Sequence, residues 1–270
     1  MQFAQLVIAL VVGLLAGTHT ATWGMYKDAP HEGFTVATFS RSILVAGALA
    51  VLTQLVLKMD LTRAPDIVVL FGLTYALERA VTEFWKTYIR HEDQSKYWIP
   101  MQFHVLGRVA GKKLQRLAGI GALLVAALLV MLVLWLQRNT PAPVPFWLAL
   151  AIAGSLGGWF SAMGGAWKDA PIEGFDFFKF LRSPGIALFW AILLSRFTQN
   201  LLIIAIAAEG FTVATIETYK TFFFPDKPRG KWTGKPVHFP HMLVTRQRFR
   251  TVYFGIWAAV IVAFALAFRA

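Results

Sequence analysis

The sequence predicts an all-α polytopic membrane protein of about eight transmembrane helices. These form two parallel four-helix repeats related by a pseudo-two-fold axis along the membrane normal, each with a cytoplasmic interfacial or re-entrant helix. Three observations lead there. Of the 270 residues, 57% are hydrophobic and 15% charged, a balance outside the range of soluble domains. Apolar runs at 3–22, 43–59, 67–85, 118–136, 146–163, 185–200, 201–218 and 251–268 approach or meet the roughly 20 residues that a helix needs to cross hydrocarbon. Finally, WGMYKDAPHEGFTVATFSRS at 23–42 recurs as GGAWKDAPIEGFDFFKFLRS at 164–183, with 11 of 20 positions identical at an offset of 141. Self-similarity of this kind marks an internal repeat.

Each element follows in chain order. The first run, from Met1, lacks the positive leading region of a signal peptide, and its counterpart lies mid-chain, so it reads as a retained span. In the repeated hinge, Asp28-Ala29-Pro30 reads as a helix start, because Asp is a good N-cap and Pro is tolerated in a first turn. Glu32 then sits where a negative charge favours the helix dipole. The following FTVATF and FDFFKFL are too apolar for a solvated loop and predict a short interfacial helix, with Ser42 and Ser183 capping the next span. KMDLTRAPD (58–66) and the RFTQN run ending at Asn200 are tight turns before the third span of each half. TEFWKT (82–87) aligns with IETYKT (216–221), and the long loops share Lys96/Lys231, Tyr97/Trp232, Pro100/Pro236 and Phe103/Phe239. Arg116 and Arg250 open the fourth spans, and the proline-rich 138–145 links the halves, giving repeats at 1–137 and 146–270.

Charge orients the spans. Of 26 Lys and Arg, 20 fall in one set of alternate loops, Arg229 among them; four (Lys58, Arg63, Arg138, Arg269) fall in the other, and Arg79 and Arg196 lie inside spans. That asymmetry predicts a cytoplasmic (inner) membrane protein with both termini outside and both hinges cytoplasmic. The net charge of +12 is therefore topological, with membrane lipids as the partner of the basic loops. Nucleic acid is excluded as a partner, since stacking and groove features are absent. With no cysteine, disulfides, thiolate nucleophiles and Cys-bound clusters are excluded too.

The candidate ligand-binding residues are Lys27, Asp28, Glu32, Arg41, Glu83 and Lys86 in the first half. In the second they are Lys168, Asp169, Glu173, Arg182, Glu217 and Lys220. Lys and Arg beside an open helix end suit a phosphate or carboxylate. The carboxylates alternatively suit a divalent cation such as magnesium, no other cofactor being implied. Structural use alone (capping, shaping the turn, touching lipid phosphates) accounts for the same residues. Inside the spans stand Glu78, Arg79, Arg196 and Glu209, and an intramembrane charge is a functional candidate by default. Arg79 and Glu83 are i,i+4 neighbours able to pair, and Glu209 is placed to pair with Arg196 across the outer turn. GRVAGKK (107–113) departs from a phosphate loop in spacing and lacks its Ser/Thr. His238-x-x-His241 reads as a surface pair, and His19, the only histidine well inside a span, has no second histidine for haem ligation.

The run from Lys27 to Glu32-Gly33-Phe34, and its twin from Lys168, is similar to a run in the membrane cytidylyltransferases that make CDP-activated lipids. The spacing here is longer, that family's acidic signature near the end is absent, and the match covers under a tenth of the chain. The resemblance implies only that an enzyme acting on a phosphate-bearing lipid stands as an alternative. Duplicated enzymes tend to lose one copy of a motif, whereas both hinges here are intact. That favours a transporter or flippase-like protein for an anionic ligand, ahead of an enzyme or a structural subunit of a membrane complex or homo-oligomer.

The cysteine-free chain makes the topology directly testable. A membrane-impermeant maleimide on intact cells should label Arg138→Cys and reach Lys96→Cys only after permeabilisation; the reverse pattern would overturn the orientation.

Overall fold

The computed structural model describes residues 2–228 and 230–270; Met1 and Arg229 lie outside the described residues. Among the described residues eight α-helices follow one another: α1 (Gln2–Glu32), α2 (Val36–Leu57), α3 (Ala64–Phe84), α4 (Lys112–Arg138), α5 (Phe146–Glu173), α6 (Phe177–Leu194), α7 (Leu201–Phe222) and α8 (His241–Ala267). A π-helical turn at Trp85–Ile89 extends α3. The only described strands, β1 (His104–Val105) and β2 (Arg108–Val109), pair antiparallel around a turn in which Leu106 and Gly107 both take positive φ, as a two-residue hairpin loop requires.

Seven of these helices are long and apolar enough to cross a membrane, so the chain is an integral, multi-pass membrane protein. The eighth, α3, carries Asp66, Glu78, Arg79 and Glu83. Its core-facing residues Val68, Leu70, Leu73 and Tyr75 are buried, as is Glu78, so protein encloses the carboxylate at mid-helix where lipid would penalise it. α4 is the opposite case, apolar along its length and almost wholly exposed, as a lipid-facing helix is.

The hinge differs from its sequence expectation. Helix α1 runs through Asp28-Ala29-Pro30 without a break, and α5 runs through Asp169-Ala170-Pro171. The repeated segment is therefore a helix end, and Asp28 is no N-cap. Each helix stops at a glycine with positive φ, Gly33 (79°) and Gly174 (83°), whose N–H donates to the carbonyl four residues back, Ala29 or Ala170. This is a left-handed C-terminal stop that only glycine adopts cheaply. No separate interfacial helix follows. Thr35 caps α2 by accepting from the Thr38 amide at 3.3 Å, and Asp176 caps α6 by accepting from Lys179 at 3.0 Å. The apolar stretches after the hinge are thus the first turns of the next spans, while Ser42 and Ser183 lie buried within α2 and α6. Arg116 and Arg250 likewise lie within helices, since α4 and α8 begin at Lys112 and His241.

The chain forms two compact units. One comprises Met1–Arg79, Val213–Pro228 and Pro236–Ala270; the other comprises Ala80–Thr212 and Arg229–Lys235. Neither coincides with a sequence half: the first contains α1 and α2 together with α8, and the second contains α4 together with α5 and α6.

In the first unit α1 and α2 touch backbone to backbone. A Cβ on Gly13 would stand 2.6 Å from Ala50 Cβ, and one on Gly17 would stand 2.6 Å from both Ile43 Cα and Ser42 O. In the second unit α5 and α6 make the corresponding contacts at positions 141 further on. A Cβ on Gly154 would collide with Ala191 Cβ, and one on Gly158 would meet Pro184 Cα and Ser183 O at 2.5 Å. Small residues four apart let apolar helices approach this closely where no hydrophobic effect drives them together. Replacing Gly17 by Val should destabilise the protein by about 1–3 kcal/mol through overpacking. Gly24→Ala, with nothing within 4 Å of the new atom, should be neutral or stabilising by under about 1 kcal/mol. Melting of the two purified variants in detergent checks the contrast.

Candidate functional site

The candidate residues divide between the units. The first holds Lys27, Asp28, Glu32, Arg41, Glu78, Arg79, Glu217 and Lys220; the second holds Glu83, Lys86, Lys168, Asp169, Glu173, Arg182, Arg196 and Glu209.

In the first unit the hinge is built around a proline. Pro30 has no N–H, so it cannot close the helical bond to the Tyr26 carbonyl four residues back. Arg246 of α8, itself buried, supplies the missing donor: Nη1 reaches Tyr26 O at 3.2 Å, while Nη2 reaches Pro225 O at 3.3 Å. Its guanidinium also lies 4.4 Å from the Tyr26 ring centroid. The Pro30 carbonyl in turn accepts from the amides of His238 and Phe239, both at 3.0 Å. The His31 ring nitrogen Nδ1 is 2.9 Å from Pro236 O. The Phe239 ring packs against Gly33, and Phe34, Phe39 and Phe249 close the apolar side.

One turn before the proline, Lys27 lies 3.8 Å from Glu217 at the end of α7, and Lys220 lies 3.8 Å from the other oxygen of the same carboxylate. Two ammonium groups thus share one carboxylate. The acid beside Lys27 comes from the third span of the other sequence half. Glu83 and Lys86, expected there, pair with each other at 3.3 Å in the second unit.

Deeper in the first unit, α1, α3, α7 and α8 enclose a polar aromatic cluster. Trp23 Nε1 donates to Tyr75 Oη at 2.9 Å, and His19 Nδ1 is 3.2 Å from the same oxygen. The His19 ring stacks on Tyr253 at 3.9 Å, and its Nε2 is buried without a hydrogen bond. Thr218 donates to Ala214 O, and its oxygen accepts from Trp257 Nε1 at 3.0 Å and from the Tyr253 hydroxyl at 2.6 Å. Arg79 stands over Trp23 at 5.2 Å and 3.9 Å from the fully buried Glu78, its immediate neighbour in the chain.

In the second unit the hinge is neutralised differently. Lys179 spans Asp169 (3.3 Å) and Glu173 (3.2 Å); the matching position in the first hinge is Thr38. Phe103 and His104 of the long loop stack on Trp167 beside the hinge, at 5.2 and 4.6 Å. In that loop Glu92 binds Arg90 at 2.7 Å and also Lys96 and Tyr97. Burial pushes its carboxyl up, but the Lys96 hydrogen bond and the two cations outweigh that and leave it below the usual range. Trp98 donates to the Lys231 carbonyl at 2.7 Å, Lys235 donates to Ser95 O at 2.8 Å, and the Tyr97 and Trp232 rings meet at 5.2 Å under Lys231.

One further expectation changes. Glu209 does not pair with Arg196: Arg196 is exposed in the turn, and Glu209 sits in the third turn of α7, about 12 Å further along the helix. Its partner is the Ser161 hydroxyl of α5. Among the described residues no three His, Asp or Glu side chains gather at one point, and His238 and His241 are both exposed. The role of Arg246 was beyond sequence reading, although the in-helix proline signals that some donor must reach the Tyr26 carbonyl.

Arg246→Met should cost about 2–3 kcal/mol, because two carbonyls lose a charged donor; an unchanged melting temperature would show that Arg246 does not hold the hinge. No family model, no curated protein and no solved structure matches this chain.

Proposed function

We propose that this integral membrane protein is an internally duplicated transporter or flippase-like protein handling an anionic ligand, phosphate- or carboxylate-bearing, at the charged hinge end of its helices. The observation that carries this reading is the Lys27–Glu217–Lys220 group, two cations on one carboxylate. Lys27 stands on the same helix, α1, as His19 and Trp23 of the buried cluster, which Tyr75 completes with Arg79 beside it. Ammonium groups at a helix end suit an anion, and an ionisable side chain retained within apolar helices is a functional candidate by default. The duplication is supported by the glycine contacts that recur 141 positions apart. It is also supported by the meeting of the aligned residues Tyr97 and Trp232, since a residue touches its own counterpart only near a two-fold axis.

A second reading, an integral-membrane enzyme acting on a phosphate-bearing lipid, is favoured by the unequal hinges. Lys179 bridges the two acids of the second hinge, and Thr38 stands at the aligned place in the first, so the two hinges are not equivalent.

Reconstitution tests both. In proteoliposomes the transbilayer movement of a fluorescent anionic phospholipid, and separately the exchange of a soluble organic phosphate, should fall about tenfold or more in Lys27→Ala, the worth of one charge-assisted hydrogen bond. A similar fall in Lys168→Ala supports a symmetric path. Conversion of the lipid to a new species, lost only in Lys27→Ala, would replace transport by catalysis, and no movement of either probe by the folded wild type would sink the transport reading.

A further inference from the structure

Glu209 is the charged side chain whose surroundings are least like those of a structural ion. It projects from the third turn of α7 onto α5, so close that a Cβ on Gly157 would stand 2.6 Å from Glu209 Cβ and 2.8 Å from its Oε2. Oε1 accepts from the Ser161 hydroxyl; Oε2 is buried and has no hydrogen-bond partner. Among the described residues no cation pairs with it. No other ionisable residue lies between Leu201 and Thr212. On α5 the first charges, Lys168 and Asp169, come about two turns beyond Ser161. Lys179 of α6 is held by Asp169 and Glu173, Arg182 makes no ion pair with Glu209, and Arg196 is exposed in the turn.

A bare carboxylate within a membrane helix, with one neutral hydrogen bond and no cation, costs several kcal/mol. Three ligands relieve that cost: a cationic side chain, a metal ion or a proton. The first has no source among the groups just named. A metal needs several oxygen ligands, and among the described residues the Ser161 hydroxyl is the one hydrogen-bond partner of the acid, with no group of three acidic or His side chains there. A proton needs only the one free oxygen, and Oε2 is that oxygen. We propose that Glu209 is a reversible proton-binding site inside the membrane-spanning helices, with Oε2 the atom that takes the proton and Ser161 fixing the other oxygen. At the position aligned with Glu209, the first unit carries Tyr75, bonded to Trp23 and His19, so the site is a specialisation of one copy. The assignment does not rest on the anionic-ligand reading and stands or falls apart from it.

The test is the apolar reagent dicyclohexylcarbodiimide on the full-length protein in detergent or proteoliposomes. The acid's proton passes to one carbodiimide nitrogen as the carboxyl oxygen bonds to the central carbon. The O-acylisourea then rearranges to a stable N-acylurea, so the whole reagent stays attached. Peptide mass mapping of the wild type should place the adduct on Glu209, and its rate should fall about tenfold per pH unit once the acid form is the minority species. Glu209→Gln keeps an oxygen for Ser161 and should lose this adduct while melting normally; if that variant does not fold, the wild-type map and its pH profile decide alone. An unmodified Glu209 peptide, or modification independent of pH, would overturn the proposal. So would protection by sodium at fixed pH, which would make a monovalent cation the ligand.

Discussion

The structure depends on the rule that a helix in an apolar solvent leaves no backbone carbonyl unanswered. A proline within the last turns of α1 breaks that rule at Tyr26, and Arg246 repairs it from α8, more than 200 residues away. The repair commits the chain. It brings the last helix of the sequence onto the first, sets the PVHF loop against Pro30, and buries a guanidinium whose two terminal nitrogens each donate to a carbonyl beside an aromatic face. A residue that looks like a topological charge in one dimension is therefore a backbone donor in three.

The hinge consequently serves as a helix stop with a polar rim. Its glycine turns the chain, its proline creates an acceptor that only a distant donor satisfies, and Lys27 is left at the rim facing Glu217. The two hinges share this scaffold and differ in their ion pairing, with Lys179 bridging the acids of the second. The same division between shared frame and private chemistry holds in the spans. The glycine contacts of α1 with α2 recur between α5 and α6, while Tyr75 and Glu209, aligned in sequence, have unlike polar partners. Close backbone packing leaves little freedom for variation, whereas a single side chain in a polar niche changes at small cost to the fold.

Element existence was legible in the sequence, and element ends less so. Apolar length marked each helix, and the turns at 58–66 and after Leu194 fall where Lys58 and Asn200 supply a left-handed cap and a side-chain cap. The Asp-Ala-Pro segment was misleading because a proline preceded by Asp resembles an N-terminus from local propensity alone. The feature that decides it, the positive φ at Gly33 and Gly174, is set where the next helix must fold back. Likewise Glu209 and Arg196 are near in sequence and opposite in sign, but the rise along α7 separates them and leaves Ser161 as the neighbour.

The sequence by itself determined the membrane character, the run of long helices and the likeness of the two hinge segments, identical at 11 of 20 positions, since these follow from composition and local identity. Tertiary structure alone decided which acid meets Lys27, which donor answers Tyr26, and that the fourth helix of each half packs with the first helix of the other. The physical reason is range: hydrophobic length and residue identity are local properties of the chain. Satisfying a buried carbonyl or pairing a buried charge depends on which distant segment arrives, and no local pattern carries that information.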